Sequence, residues 1–229
     1  MVAVIGDIHG CLNTLKELVS RIRKKYPYIN IYSVGDLVDR GNFSYEVIEF
    51  IINEKINFTA GNHDLMFYYF IKDSSHELGR IWMYNGSDKT INSYSGRFDS
   101  ISVHLDRIVK APFFYYLRDC FISHAGISIH YKSKLGKNFF DKIDSLDPFL
   151  RSELMSEHGI LWTRDELLDI EKLQIVGHTR QQEVTYLKSN NVAYIDTSVY
   201  TGNKLSAVIV EKDNIIDTIS VPTFTEDIQ

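Results

Sequence analysis

The stretch Gly35-Asp36-Leu37-Val38-Asp39-Arg40-Gly41 directly follows an apolar run at 31–34 that has the pattern of a buried strand. Two carboxylates and a guanidinium therefore stand within five residues at the end of a strand, between two glycines. Such a cluster is tolerated at that position only where something compensates its charge. A metal ion together with an anionic ligand would do so, and the rest of the chain can be tested against this expectation.

The same unit of strand, polar turn and helix is predicted three times between residues 2 and 71. In each case a short apolar run leads into a glycine, a polar turn and a segment with apolar residues at helical spacing. Alternating strands and helices are typical of a parallel, layered α/β core. The predicted strands are Val2–Ile5, 31–34 and 56–60, and the predicted helices are 12–22, 45–52 and 65–71.

The remainder of the chain departs from this alternation. Residues 76–112 contain several amphipathic pieces, with Trp82 and the turn Asn85-Gly86, and we interpret them as a helical insert that covers the core. Residues 131–170 are mostly polar, which predicts helix and loop. The last part is predicted to form antiparallel strands, with a hairpin turn at Asp213-Asn214. The further predicted strands are 113–117, 120–123, 173–176, 183–187, 192–195, 205–211 and 215–221.

Composition and length favour a single α/β domain over residues 1–229, since the chain is 44% hydrophobic and no Pro/Gly/Ser-rich linker interrupts it. The formal net charge of −5 argues against a nucleic-acid partner. No apolar run approaches ~18 residues and no signal peptide is recognisable, so we expect neither a membrane span nor secretion. Two cysteines are too few for a disulfide framework, which favours a cytoplasmic protein.

Five predicted strands each end at a residue type that binds metals. In four of the five, a glycine directly precedes this residue, and glycine permits the unusual dihedral angles and close backbone approach that a compact site requires. In open α/β sheets, ligands bind beyond the carboxyl ends of the strands. Five such ends can therefore form one site. The candidate metal ligands are Asp7, His9, Asp36, Asn62, His124 and His178.

This mixture of carboxylate, amide and imidazole suits Mn, Fe or Zn better than Ca or Mg, which prefer all-oxygen ligands. Asp36 is the natural carboxylate to bridge two divalent ions, and two ions ~3.5–4 Å apart can hold a phosphoryl group and activate water. Arg40 would then bind phosphate oxygens. His63 lies beside Asn62 but points elsewhere, so it is a candidate general acid for the leaving oxygen, with Asp39 holding its ring. These residues together predict a two-metal phosphoester hydrolase.

The motifs also resemble those of a known family. Asp7-Ile8-His9-Gly10, the stretch at 35–41, Gly61-Asn62-His63-Asp64, His124-Ala125-Gly126 and Gly177-His178-Thr179 are similar, in order and spread, to the motif series of the phosphoprotein phosphatase (PPP) family. That family lies within the calcineurin-like metallophosphoesterases. The resemblance covers about the whole chain, and the length is similar to that of the compact bacterial and phage-type Ser/Thr protein phosphatases.

The resemblance implies a fold, a cofactor and a reaction. It implies a four-layer α/β/β/α sandwich with mixed sheets, and a dinuclear metal site. Among the metals that suit these ligands, manganese is favoured, with iron or zinc as alternatives. The resemblance further implies hydrolysis of phosphoserine and phosphothreonine, and of phosphotyrosine in some members, in phosphorylated proteins or peptides, by direct attack of a metal-bound hydroxide. By motif position, one ion takes Asp7, His9 and Asp36, the other takes Asp36, Asn62, His124 and His178, His63 with Asp39 is the acid pair, and Arg40 binds phosphate.

Two further residues and two departures follow from the same resemblance. Arg164 resembles a second phosphate-binding arginine of the phage-type enzymes, and a solvated arginine beside Asp165 is the alternative. Tyr200 falls where some members place a tyrosine near the substrate, and a plain packing aromatic is the alternative. Asp64 stands where the family usually has glutamate. Ser198 stands where relatives often have glycine, which could alter the fit of the substrate.

Other functions stay open at this point. A hydrolase of dinucleoside polyphosphates, such as diadenosine tetraphosphate, has the same metal motifs and is the main alternative. A nuclease-like metallophosphoesterase is disfavoured by the acidic net charge. A catalytically silent binding module is disfavoured by the complete set of ligands. Taken singly, Asp7, Asp36 and Asn62 could each simply cap a helix, but the whole set argues against that explanation.

Overall fold

Ten strands in two sheets and eight α-helices lie within the residues that the computed structural model describes, which are 1–135 and 143–229. The strands are β1 (Val2–Ile5), β2 (Asn30–Ser33), β3 (Asn57–Phe58), β4 (Phe114–Tyr116), β5 (Phe121–Ser123), β6 (Gln174–Val176), β7 (Thr185–Leu187), β8 (Val192–Tyr194), β9 (Lys204–Glu211) and β10 (Asn214–Pro222). The helices are α1 (Leu12–Lys25), α2 (Ser44–Asn53), α3 (Asn62–Lys72), α4 (Glu77–Trp82), α5 (Ser87–Ser93), α6 (Ile101–Val109), α7 (Lys132–Leu135) and α8 (Ile143–Ser152).

Both sheets are mixed, and each contains three neighbouring strands that run parallel. The first sheet has the order β10-β9-β1-β2-β3, in which β1, β2 and β3 are parallel and β9 is antiparallel to β1. The second has the order β4-β5-β6-β8-β7, in which β5, β6 and β8 are parallel. In each sheet, the carboxyl ends of three parallel strands therefore lie at the same edge.

The sheets pack face to face because strand β1 is apolar on both faces. Val4 belongs to a core that also contains Ile122 of β5 and Ile175 of β6, so this core lies between the two sheets. Ile5, which points the opposite way, belongs to the larger core that contains Leu15 of α1. The prediction of an α/β fold with mixed, packed sheets and covering helices is therefore confirmed.

Helix α1 takes its N-terminal cap from a distant residue. Cys11 at the N-cap position makes no side-chain cap. Instead, the buried carboxylate of Asp227 accepts hydrogen bonds from the backbone N–H groups of Asn13 (2.9 Å) and Thr14 (2.8 Å). The Thr14 hydroxyl donates to the same carboxylate at 2.6 Å. Two N–H groups that the first helical turn leaves without partners are thereby satisfied.

Helices α4, α5 and α6 occupy the region predicted as a helical insert. Trp82 of α4 and Leu105 of α6 are fully buried in the larger core, whereas Tyr84 is 90% exposed. Trp82 thus packs in the core, as the sequence favours. Among the described helices, none has the length and hydropathy of a membrane span.

Some boundaries and pairings differ from the sequence predictions. The strands of the tail pair antiparallel as predicted, β7 with β8 and β9 with β10, but β8 also pairs in parallel with β6, because apolar alternation defines a buried strand without defining its neighbour in the sheet. The turn between β9 and β10 is Lys212-Asp213, one residue earlier than predicted, and both residues have positive φ, as a type I′ turn requires. Part of the segment predicted as helix and loop, 136–142, lies outside the described residues.

Candidate active site

The carboxyl ends of parallel strands from both sheets bring the six predicted metal ligands together. Two hydrogen bonds join the sheets at this place. The backbone N–H of His178 donates to the carboxylate of Asp7 (3.1 and 3.2 Å), and Nδ1–H of His124 donates to the carbonyl of Val34 (2.9 Å). The candidate ligands are Asp7 and His9 after β1, Asp36 after β2, Asn62 after β3, His124 after β5 and His178 after β6.

Backbone strain is concentrated here. Of the eleven described non-glycine residues with positive φ, six lie at this site. Each such residue costs on the order of 1–3 kcal/mol unless its surroundings compensate, and such residues cluster at functional sites. The six are His9 (φ 45°), Asp36 (50°), Asp39 (73°), Arg40 (72°), His178 (59°) and Ser198 (59°).

Two of the glycines that precede ligands leave room for a neighbouring carboxylate. A Cβ atom at Gly61 would collide with Oδ1 of Asp36. A Cβ atom at Gly177 would collide with Oδ1 of Asp7 and with the side chain of Val34. The glycines are thus required by the close approach of another strand's ligand.

The side-chain oxygen of Asn62 faces two imidazole nitrogens that cannot donate to it. Since Nδ1–H of His124 donates to Val34, Nε2 carries a lone pair, and it lies 2.8 Å from Oδ1 of Asn62. Similarly, Nε2–H of His178 donates to the carbonyl of Trp162 (3.2 Å), and its Nδ1 lies 3.2 Å from the same oxygen. Burial lowers the pKa of both imidazoles, that of His178 to about 3, so both rings are neutral. A metal cation satisfies three converging lone pairs of this kind.

Asp36 lies between this group and a second one. Its Oδ1 is 3.6 Å from Nε2 of His124, and its Oδ2 is 3.5 Å from Nε2 of His9. Nδ1–H of His9 donates to a backbone carbonyl at 2.9 Å, so this Nε2 also faces the site with a lone pair. Ligand atoms of Asp7, Asp36 and His124 lie within 4.8 Å of one another, and the same holds for His9, Asp36 and His63. Asp36 belongs to both groups, which a bridging carboxylate requires. The groups differ from the predicted ligand sets in two ways, since Asp7 lies with His124 rather than with His9, and His63 lies with His9.

Buried negative charge also fits a metal centre. Burial raises the pKa of Asp7 well above its usual range, and the nearby carboxylates of Asp196 and Asp36 raise it further. Burial likewise raises the pKa of Asp196 to about 6. Carboxylates this close and this deeply buried are stable in the ionised form only beside positive charge. Divalent cations would supply that charge.

The predicted acid and the predicted phosphate-binding arginine are in direct contact. Nδ1–H of His63 donates to Oδ2 of Asp39 at 2.6 Å, which leaves Nε2 facing the cavity. The guanidinium of Arg40 donates to Nε2 of His63 and to Nε2 of His9, both at 2.8 Å. The backbone N–H of His63 donates to Oδ1 of Asp36 at 3.0 Å. The ring of His63 is therefore fixed from both sides.

The insert holds Asp39 in place. The indole N–H of Trp82 donates to Oδ2 of Asp39 at 2.9 Å, and the hydroxyl of Thr90 donates to its Oδ1 at 2.7 Å. The backbone N–H of Asp39 donates in return to the oxygen of Thr90 at 2.9 Å. Neither contact was predictable from the sequence, because Trp82 and Thr90 lie 43 and 51 positions away from Asp39.

Arg164 and Tyr200 both line the cavity above the ligands, which has a volume of about 300 Å³. Arg164 is exposed and is not paired with Asp165, whose carboxylate bonds to Ser128 (2.5 Å) and His158 (2.7 Å) instead. The ring of Tyr200 packs edge-on against His9, with 5.0 Å between ring centroids. Both residues are therefore within reach of a ligand in the cavity.

Three residues of this region were not predicted to belong to the site. Arg180 and Asn85 line the cavity. Arg180 lies two residues after His178 and Asn85 lies in the turn after α4, but the pattern of polar residues at these positions does not assign a role to either one. Asp196 is buried beside Asp7 and accepts a hydrogen bond from the backbone N–H of Ser198 at 2.9 Å. Asp196 follows β8 much as the predicted ligands follow their strands, so the same argument could have found it.

The two departures from the family pattern have local explanations. The carboxylate of Asp64 accepts hydrogen bonds from the backbone N–H groups of Leu37 (2.8 Å) and Gly61 (3.1 Å), so it ties the start of α3 to the loop after β2. Ser198 has a left-handed backbone (φ 59°), which glycine adopts at lower cost. Neither side chain replaces a candidate ligand.

The chain belongs to the calcineurin-like phosphoesterases, since the model of that family matches residues 1–212. Its members use divalent metals, and the arrangement of candidate ligands agrees with this. The predictions of a metallophosphoesterase and of a phosphoester hydrolase are confirmed at this level.

Curated relatives extend over nearly the whole chain. An asymmetrical bis(5′-nucleosyl)-tetraphosphatase PrpE from Oceanobacillus iheyensis is 27% identical over 96% of this chain and 93% of its own length. The protein of the same name from Bacillus cereus (strain ATCC 10987) is 25% identical, with the same coverage.

Solved structures share the fold. A protein provisionally named a diadenosine tetraphosphatase has a TM-score of 0.63 at 19% identity, covering 98% of this chain and 94% of its own. The cold-active protein tyrosine phosphatase of a Shewanella species has a TM-score of 0.64 at 18% identity, covering 96% of this chain and 79% of its own. At such identities the likeness shows the fold alone.

The expectation of a Ser/Thr protein phosphatase acting on phosphorylated proteins or peptides is wrong. The curated relatives that match nearly the whole chain are named for a nucleosyl tetraphosphate, and they favour the alternative given above. The physical reason for the error is that the metal-binding motifs determine the reaction at phosphorus. The same motifs are compatible with more than one leaving group, so they do not identify the substrate.

Proposed function

We propose that the protein hydrolyses bis(5′-nucleosyl) tetraphosphates asymmetrically. Water adds across an outer P–O–P linkage, so that one nucleoside triphosphate and one nucleoside monophosphate form. The observation that carries this proposal is the match to relatives of that name over 96% of the chain. Three arginines around the cavity agree with a substrate that carries several negative charges.

We further propose two divalent ions, with manganese favoured and iron or zinc as alternatives. Asp36 would bridge them, which its place in both clusters of possible ligands supports, while the division of the remaining ligands between the two ions follows the motif positions. When bound, the ions would supply Lewis-acid activation of water and of the phosphoryl group. The remaining ligands would be Asp7 and His9 for one ion, and Asn62, His124 and His178 for the other.

The other residues act on the substrate. Arg40 and Arg164 would bind oxygens of the attacked phosphoryl group, and a substrate phosphate would replace the imidazoles as the partner of Arg40. His63 would donate a proton from Nε2 to the leaving oxygen, while Asp39 keeps Nδ1 occupied. Since a polyphosphate is a weaker base than an alkoxide, this leaving group depends less on the proton than a phosphoserine would.

The test compares two substrates on purified protein supplied with Mn²⁺. Diadenosine tetraphosphate should be hydrolysed faster than a phosphoserine peptide, and chromatography should find ATP and AMP in equal amounts. Two equivalents of ADP would contradict the asymmetrical cleavage. Faster hydrolysis of the peptide would overturn the proposed function while leaving the metal site as described.

A further inference from the structure

The cavity is lined by more arginines than are needed to bind a single phosphoryl group. Arg40, Arg164 and Arg180 all line it. None of the three forms an ion pair with a carboxylate within residues 1–135 and 143–229, although four other arginines of the same residues do. An arginine beside a cavity without an acidic partner is available to an anionic ligand.

Tyr200 contacts two of these arginines, each at a different part of its side chain. The guanidinium of Arg40 lies over the ring, with Cζ 4.3 Å from the centroid. The guanidinium of Arg180 donates instead to the hydroxyl of Tyr200, at 3.1 Å. The ring is half-buried and packs against His9, so it cannot turn freely. Arg180 therefore lies at the hydroxyl end of the phenol ring and is exposed, whereas Arg40 lies over the face of the ring and is half-buried.

We propose that Arg180, positioned by Tyr200, binds a phosphate of the substrate other than the one attacked. This inference rests on the proposed function, and it names the part of the site that selects a polyphosphate. A phosphomonoester has one phosphoryl group, for which Arg40 and Arg164 suffice. A tetraphosphate chain continues beyond the attacked phosphorus, and Arg180 supplies the next positive charge outward. Arg180 is then a residue that determines specificity rather than one that takes part in the chemistry.

The experiment measures kcat/KM for diadenosine tetraphosphate and for p-nitrophenyl phosphate on the Mn²⁺-loaded protein. For Arg180→Gln, the ratio of the first to the second should fall about 10-fold, the loss of one charge-assisted hydrogen bond. Arg180→Lys should recover part of the ratio, because lysine keeps the positive charge but lacks the planar guanidinium group that can donate two parallel hydrogen bonds. Tyr200→Phe should lower the ratio less, since it removes the hydroxyl alone. Arg107→Gln, an exposed arginine of α6, is the matched control and should leave the ratio unchanged.

A second measurement does not need dinucleotide hydrolysis. Inhibition of p-nitrophenyl phosphate hydrolysis by tripolyphosphate and by orthophosphate is compared, with Mn²⁺ in excess over the anion. Arg180→Gln should raise the inhibition constant of tripolyphosphate about 10-fold more than that of orthophosphate. Equal changes for both anions, or none, would overturn the role of Arg180. That result would leave the proposed function standing if the wild-type protein still prefers the dinucleotide. A wild-type preference for the phosphoserine peptide would defeat the proposed function, and the anion comparison would still decide for or against the Arg180 subsite.

Discussion

The indole nitrogen of Trp82 lies 2.9 Å from Oδ2 of Asp39, the same oxygen to which Nδ1–H of His63 donates at 2.6 Å. One carboxylate oxygen therefore joins a helix of the insert to the candidate general acid. The insert takes part in the site through this bond, although its own helices carry none of the candidate metal ligands. We therefore expect the insert to influence turnover.

Replacing Trp82 with Phe should therefore affect both stability and activity. The ring keeps its contacts with Phe67 and Phe70, but Asp39 loses a buried donor. We expect the free energy of unfolding to fall by about 2–3 kcal/mol and kcat to fall several-fold. Urea denaturation and initial rates measure the two effects. Tyr84→Phe, at an exposed position of the same insert, should change neither. Normal kcat in Trp82→Phe would show that Asp39 does not need this donor.

Replacing His63 with Asn should remove the proton donor and retain the metal centre. We expect kcat to fall about 10²-fold on diadenosine tetraphosphate and by more, up to ~10⁴-fold, on a phosphoserine peptide, because the alkoxide needs the proton more. Metal analysis of the purified variant should still find the wild-type content. His130→Asn, at an exposed histidine, is the control. An equal loss on both substrates would contradict the assignment of His63 as the acid.

Removing the metal should destabilise the fold, because the carboxylates of Asp7 and Asp36 are buried beside each other. At a metal concentration of about 100 times Kd, the bound ion should add about 2.7 kcal/mol. Thermal unfolding with Mn²⁺ and with a chelator measures the difference as a change in Tm. In His124→Ala the gain on adding Mn²⁺ should shrink. A Tm that does not respond to the chelator would argue against the metal centre.

Replacing Asp227 with Ala should loosen the start of α1. Four hydrogen bonds end on this buried carboxylate, two from backbone N–H groups and two from side chains. Leaving those donors without partners should cost about 2–4 kcal/mol in the free energy of unfolding. Glu226→Ala, an exposed acidic neighbour, should cost less than about 0.5 kcal/mol. Equal stabilities of the two variants would show that water replaces the cap without loss.

The candidate ligands were predictable because each follows a strand whose apolar pattern is strong. Asp7, Asp36 and His124 follow buried strands directly or after one or two linking residues, and parallel strands place their carboxyl ends together. Arg180 was not predictable in the same way, since an arginine on a loop has no periodic context. The partners of Asp39 were hidden for a different reason. Trp82 and Thr90 lie in helices whose apolar spacing indicates a core but not which buried carboxylate they contact.

The prediction of a phosphoprotein substrate was wrong for a chemical reason. A bridging aspartate and histidine ligands serve a phosphoserine and a tetraphosphate equally, because both present a tetrahedral phosphorus to the same centre. Only the side chains around the leaving group distinguish the two. Tyr200 and Arg164 were recognised as candidates, but the sequence contained nothing to relate either one to a particular leaving group.

The position of β1 between β2 and β9 has a consequence for biosynthesis. Strand β1 can pair with β9, its second neighbour in the sheet, only when residues 204–211 have left the ribosome. Until then its edge is unpaired, and the nascent chain exposes a hydrophobic template to other chains. The pairing of Ala3 with Ile209 is also a contact of very long sequence separation, which slows folding. The first sheet is therefore completed only when β9 and β10 have been synthesised, long after the candidate ligands that follow β1, β2 and β3, and its unpaired edge is a binding site for co-translational chaperones until then.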